Sequence, residues 1–244
     1  HSREVTELEP IGDLRLRSVL GLLARFRADG PHPQQVARLA LKLYDELRPQ
    51  HGMGEPEREL LHYAALLHDV GSAIGYDGHA EHSAYIIRNG SLRGLDEAEV
   101  EAVASIARYH GKPRPQKRRD NDYASLSKRT RRMVRWLSAI LRVAEGLDRS
   151  HYQLIRDLRV ARRGDRMALL VTARRDAQLE LWAARRRLDA LAKLLDARLQ
   201  ILLDPRVHGP RVESAPLRPK PSVPPVEIAN GSAPGRRAAR LPHG

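Results

Sequence analysis

The sequence predicts a mainly helical fold, a helical bundle carrying a small α+β appendage and a disordered tail, and three observations carry that expectation. Apolar residues recur at three-to-four spacing in six stretches between residues 13 and 148, the signature of amphipathic helices. After Asp157 the texture changes to short strand-like runs flanking the turn Arg163-Gly164-Asp165. Beyond Asp204 there is no apolar period, and that tail holds nine of the sixteen prolines. A helical domain is therefore expected over residues 11–156, a strand-strand-helix-strand appendage over 157–204, and a disordered, basic, proline-rich segment over 205–244.

The first helix is expected from Asp13 to about Phe26 on Leu16, Val19, Leu20 and Leu23, stopped by Asp29-Gly30-Pro31. A second runs from about Pro33 to Leu47 on Val36, Leu39, Ala40 and Leu43, with Pro33 in its first turn. A third spans about Pro56 to His68. Glycines 71, 75 and 78 break the chain, and a fourth helix from about Ala80 to Arg88 follows. The fifth is capped by Asp96 and reaches His110; the sixth and longest covers about Leu126 to Asp148. In the appendage, Leu158-Arg159-Val160, Ala168–Ala173 and Leu199–Leu203 read as strands, with one amphipathic helix from about Leu179 to Leu195.

Composition excludes several classes. The 244 residues contain no Cys, which removes disulfides, thiolate ligands and a cysteine nucleophile, and leaves any metal to imidazole nitrogen and carboxylate oxygen. No apolar run approaches the roughly 20 residues of a membrane span, and no secretory pattern opens the chain. A cytoplasmic protein without membrane contact is the expectation. The first residue is His1 rather than Met, as in a trimmed chain or a piece of a longer protein. The net charge of +13 is uneven: residues 112–135 carry a net +8 and residues 205–244 a net +5. Such segments favour phosphate-rich partners. With ten aromatic residues in the chain, and none among the basic residues of the 112–119 loop, stacking platforms for nucleic acid are missing there.

Chemistry concentrates at the ends of the apolar stripes. His68-Asp69 closes one, His110 closes another, Asp148 a third, and His32 stands at the start of a fourth. A buried imidazole beside a buried carboxylate is costly without a positive charge between them. Histidines and aspartates converging from four helices are what a metal site in a helical bundle requires. Against this stands the plain alternative of hydrogen-bonded core histidines. His82 and His79 are three residues apart and share one side of their helix, His79 being also readable as a helix cap. Lys112, Arg114, Lys117, Arg118 and Arg119 directly follow His110, and Arg149 adjoins Asp148. They are candidate phosphate contacts, or simply a solvated charged loop.

The order His32, His68-Asp69, Asp148 resembles the H…HD…D pattern of the HD-domain superfamily. More specifically, Leu60–Gly71, His82-Ser83-Ala84-Tyr85-Ile86-Ile87, Ala107-Arg108-Tyr109-His110 and Leu141–Ser150 resemble the C-terminal region of the exopolyphosphatase and guanosine pentaphosphate phosphatase (Ppx/GppA) family. The first resemblance implies a metal-dependent phosphohydrolase. His32, His68, Asp69 and Asp148 would hold one divalent ion, with Asp69 bridging to a second on His82 and His110, and His68 and Asp69 would be central to catalysis. Manganese, iron or magnesium would serve. The second implies an alternative: a non-catalytic module that binds polyphosphate or supports dimerisation, because the family's hydrolytic site belongs to actin-like domains whose glycine-rich phosphate loops are absent from this sequence. Substrates implied are nucleotides, guanosine polyphosphates or polyphosphate, and a homodimer is among the expected assemblies.

Overall fold

The computed structural model describes residues 11–111, 115 and 121–204. Ten helices and three strands are formed among them: α1 Ile11–Arg25, α2 Pro31–Glu46, α3 Arg48–His51, α4 Glu55–Leu67, α5 His79–Asn89, α6 Glu97–Arg108, α7 Asn121–Ser125, α8 Lys128–Gly146, β1 Ile155–Arg163, β2 Arg166–Ala173, α9 Gln178–Arg185, α10 Asp189–Leu195 and β3 Arg198–Leu203. The mainly helical architecture with a small sheet is as expected. The disordered tail and the five basic residues of the 112–119 loop lie outside the described residues.

Local chemistry explains the boundaries that matter. α2 begins at Pro31, where a missing N–H costs nothing, and this places His32 in its first turn. At the start of α6, Asp96 and Glu99 close a reciprocal capping box: Asp96 Oδ1 accepts from Glu99 N at 2.8 Å, and Glu99 Oε2 accepts from Asp96 N at 3.0 Å. α5 opens after Gly78, whose φ of +73° only glycine adopts without strain. Between α4 and α5 the chain makes one 3-10 turn, Val70–Ala73.

α2 packs against α4 and α8, α6 joins α4, α5 and α8, and α1 covers α4. Val36, Leu39, Leu43, Leu61, Leu67, Val103, Ile106, Leu137 and Leu141 are fully buried in this core. β1 and β2 form an antiparallel hairpin, and β3 adds to β2 in parallel. Ile155, Leu158, Leu169, Val171 and Ile201 continue the same apolar core. Polar tethers reinforce the join: Gln35 Nε2 and Arg38 Nη2 donate to Ile155 O at 2.6 and 2.8 Å, and Val160 N donates to Glu46 Oε2 at 2.7 Å.

Two details differ from the periodicity reading. The helix expected over 179–195 is two helices, turned between Arg185 and Asp189, and each of them packs against both α8 and β3. The turn also brings Gly146 against α9, where a β-carbon on Gly146 would lie 2.8 Å from Ala184 Cα. Short α3 and α7 are absent from the apolar pattern, being under two turns long.

Candidate metal centre

Every candidate ligand sits at a helix end. His32 lies in the first turn of α2, His68 is the cap residue after α4, His79 is the first residue of α5, His110 follows α6 by two residues, and Asp148 follows α8 by two. The N-terminal ends of α2 and α5 and the C-terminal ends of α4, α6 and α8 face one region, because the apolar stripe that buries a helix carries its terminal polar residue inward. His32, His68, His110 and Asp148 are all buried, His68 and Asp148 completely.

The hydrogen bonds fix which ring nitrogen carries the proton. His68 Nδ1 contacts Ala65 O at 2.8 Å, His79 Nδ1 contacts Tyr76 O at 2.8 Å, and His110 Nδ1 contacts Ala107 O at 2.5 Å. His32 Nδ1 contacts Asp148 Oδ2 at 2.8 Å. A carbonyl or an ionised carboxylate only accepts, so each Nδ1 must donate, and in a neutral ring each Nε2 is then a bare lone pair. All four Nε2 atoms face one carboxylate. His32 and His68 approach Asp69 Oδ2 at 3.9 and 3.7 Å, and His79 and His110 approach Asp69 Oδ1 at 3.4 and 3.5 Å. Among the described residues, Nε2 of His32 and of His68 has no hydrogen-bond partner.

Lone pairs aimed at an anion repel unless a cation or protons lie between them. Donors about 2.0–2.2 Å from a shared ion stand roughly 3–4 Å apart at ordinary coordination angles, and these separations fall in that range. Two groups could each hold an ion: His32, His68 and Asp69, and Asp69, His79 and His110, with Asp69 common to both. Protons are the poorer solution at His68. Burial above all, together with repulsion from His110 and His32, pushes its pKa down to about 3 against the attraction of Asp69. For Asp69, burial acts upward but is outweighed by His68, His110 and His79, so it stays ionised, far below the usual carboxylate range.

The remaining expected residues are placed as follows. Asp148 does not join either group: Oδ2 accepts from His32 and Oδ1 from Gln153 N at 2.8 Å, so it orients His32 from behind. Such outer partners tune a metal ligand, and Asp148→Asn is expected to weaken Mn2+ affinity about 10- to 100-fold by calorimetric titration. His82 lies outside both groups, and His79 takes the place expected for it. Arg149 Nη1 is 3.7 Å from Glu145 Oε1. Lys112, Arg114, Lys117, Arg118 and Arg119 lie outside the described residues.

Three residues escaped the sequence reading. His79 was read as sharing a helix side with His82 and as a cap but not as a ligand, because the glycines before it hid that the chain folds back. His151 stacks on His32 with ring centroids 3.7 Å apart and planes 8° from parallel, held by a left-handed φ of +61° that no periodicity reveals. Arg187, from the appendage, pairs with buried Glu145. Burial and Arg142 lower its pKa, while Asp69 and Tyr76 pull it upward, so it stands within electrostatic reach of the cluster.

Acid should loosen the metal-free chain. Burial lowers the pKa of His51, with Arg132 and Arg48 adding to it over the opposing bond to Tyr44 O, and His68 is held near 3. Unfolded histidines titrate near 6.5. Between the folded and unfolded values the unfolded chain binds more protons, so stability is complete above about pH 6.5 and falls as pH drops toward 3. Urea midpoints of the chelated protein are expected to be lower at pH 5 than at pH 7.5.

A helical bundle whose rod ends deliver four imidazoles to one shared carboxylate thus presents two groups that could hold a metal ion. The family model for Ppx/GppA phosphatase, domain III, matches residues 14–194, about three quarters of the chain, and the chain belongs to that family. Among curated proteins it is similar to guanosine-5'-triphosphate,3'-diphosphate pyrophosphatases of Vibrio parahaemolyticus (33% identical over 99 residues) and Vibrio vulnificus (34% over 99 residues), covering 40% of this chain in each case. The matched segment is 20% of each relative, so the chain spans about a fifth of their length.

Proposed function

We propose that this chain is a metal-dependent phosphohydrolase of the HD type, acting on a nucleotide, a guanosine polyphosphate or polyphosphate. The observation that carries the reading is the convergence of four bare Nε2 atoms on the two oxygens of Asp69. The donor set is nitrogen and carboxylate oxygen, suited to manganese, iron or magnesium. His32, His68 and Asp69 would hold one ion, and Asp69, His79 and His110 the other. Bound there, divalent ions neutralise phosphate charge and make water a competent nucleophile at neutral pH.

The chain's own residues do the rest. The carbonyls of Ala65, Tyr76 and Ala107 and the carboxylate of Asp148 keep each ring in its ligating tautomer. The His151 ring covers one face of His32 and limits water there. The Asp69 side chain is about one third exposed, so a substrate phosphate can reach the cluster, with the cations of Arg149 and Arg187 at hand. Kinship with phosphatases of guanosine polyphosphate supports the phosphate-rich substrate. No helix among the described residues is long and apolar enough to cross a membrane.

A second reading is favoured by the length comparison. A chain matching one domain of much longer relatives could bind polyphosphate, or dimerise, in support of separate catalytic domains. Phosphate release from GTP, guanosine tetraphosphate and tripolyphosphate, measured with Mn2+, Fe2+ or Mg2+, separates the two. Release that needs the metal and is lost in His68→Ala supports the hydrolase; tight tripolyphosphate binding with no release under any metal overturns it.

A further inference from the structure

The histidines of the cluster are part of a longer run of rings. Tyr76 meets His79 with centroids 5.5 Å apart, His79 meets His110 at 5.3 Å, and His110 meets His68 at 4.8 Å. His68 meets His32 at 5.3 Å, and His32 meets His151 at 3.7 Å. Both ends of the run are exposed, and neither end ring belongs to a metal-holding group. The Tyr76 end presents the larger apolar surface: the tyrosine is 70% exposed, and Ile74, two residues before it, is 56% exposed. A single exposed apolar residue needs no explanation. Here two large ones stand on one short loop, the same loop whose Tyr76 carbonyl holds His79 Nδ1 at 2.8 Å.

Positive charge gathers at the same place. Buried Glu145 pairs with Arg187 and is also approached by Arg149 Nη1 at 3.7 Å, so one carboxylate answers two guanidinium groups and one positive charge within that trio is left unbalanced. Burial lowers the Arg187 pKa, and Asp69 and Tyr76 pull it back upward, which puts its guanidinium within electrostatic reach of both. An exposed ring, a cation and the shared carboxylate of the cluster are therefore neighbours.

A bare phosphate chain gains nothing from an exposed ring, whereas every nucleobase has a flat π face that stacks on one. Arginine grips phosphate in a planar fork. We propose that Tyr76 is a specificity-determining residue of the metal centre: its exposed ring stacks the base of a nucleoside polyphosphate, Arg187 takes the phosphate chain, and the far end of that chain lies at Asp69. This rests on the reading of the cluster as a metal-holding hydrolytic site, and it narrows the substrate from any phosphate-rich anion to a nucleotide. Inorganic polyphosphate is then the poorer ligand. Stacking tolerates any base, so Tyr76 selects for the presence of a base and not for guanine over adenine.

Calorimetric titration of the Mn2+-loaded intact chain with the non-hydrolysable guanosine 5'-(β,γ-imido)triphosphate and with imidodiphosphate, its inorganic counterpart, tests this, with bound Mn2+ determined by elemental analysis of each sample. Stacking on an aromatic ring is worth about tenfold in affinity or more, so the wild type should prefer the nucleotide by at least that factor. Tyr76→Phe keeps the ring and should keep the preference. Tyr76→Leu keeps apolar bulk against His79 without a ring to stack, and should erase most of it. A wild type that holds Mn2+ but shows no preference, a preference unmoved in Tyr76→Leu, or one lost equally in Tyr76→Phe would each overturn the assignment and leave the metal reading in place. A Tyr76→Leu chain that loses its Mn2+ would make the ring a support for His79 and would likewise overturn it. A wild type that holds no Mn2+ would overturn both.

Discussion

An Asp69→Ala variant is expected to lose both ions and all metal-supported phosphate release. Asp69 is the one carboxylate shared by the two groups, with each oxygen serving a different pair of histidines. Its removal leaves two histidines on each side and no anion to balance a divalent charge. Outer partners of a metal ligand are worth about 10- to 100-fold in affinity, so loss of the shared ligand should exceed that range. Lewis-acid stabilisation contributes several kcal/mol to the barrier, and about 4 kcal/mol corresponds to roughly a thousandfold in rate. A thousandfold or greater fall in phosphate release, with an unchanged circular dichroism spectrum, is the expected outcome. An active Asp69→Ala protein would place any hydrolysis elsewhere.

Gly71→Ala should have the largest effect on folding. A β-carbon at Gly71 would lie 2.2 Å from His79 O and 2.3 Å from Ser83 N, and these are backbone atoms in the first turns of α5, which cannot swing aside as a side chain can. The Gly71 N–H also donates to Ser83 Oγ at 2.9 Å, pinning the 3-10 turn to the helix. Relieving the overlap means parting the two elements. Overpacking of a tight site costs typically 1–3 kcal/mol and sometimes more, and backbone against backbone belongs at the upper end, about 3 kcal/mol. Because α5 begins with His79, the same displacement moves that ring off Asp69. Urea unfolding and Mn2+ titration should therefore fail together in this variant. A variant with native stability would show that the approach is looser than described.

The folded architecture was largely legible in the chain because helix termini and apolar stripes are local features. Pro31 and Pro33, the Asp96–Glu99 box and the stripe through Val36, Leu39 and Leu43 each act within a few residues. The three positions His32, His68 and His110 could be read for a related reason, since a polar residue that continues an apolar stripe is buried, and Asp69 was read from its place beside His68. The sequence did not disclose what depends on how the chain returns on itself. His79 reaches Asp69 only because the Gly71 and Gly78 turns fold α5 back over the 3-10 turn, and His82, one helical turn on, is carried away from the cluster. Asp148 was legible as buried but not as facing His32 Nδ1, a matter of side-chain direction. Arg187 lies off the stripe of the expected 179–195 helix, and His151 comes from a segment with no stripe at all. One is delivered by the break between α9 and α10, the other by two left-handed residues, His151 and Gln153, wrapped around the Asp148 carboxylate.

That wrapping gives the appendage a role in the site. Ser150 N donates to the buried Glu180 carboxylate at 3.1 Å, Gly146 lies against Ala184, and Arg187 pairs with Glu145. Three contacts from α9 and its end therefore hold the segment that presents Asp148 and His151. The strands are not a separate decoration on the bundle, since they anchor the helix that fixes the last turn before His32's partner.

The most direct measurement is the number of Mn2+ ions retained per chain after loading and desalting, determined by elemental analysis for the wild type and for Asp69→Ala. One to two ions are expected per wild-type chain and none for the variant. A wild-type chain that retains no ion, or a variant that retains as many, would contradict it.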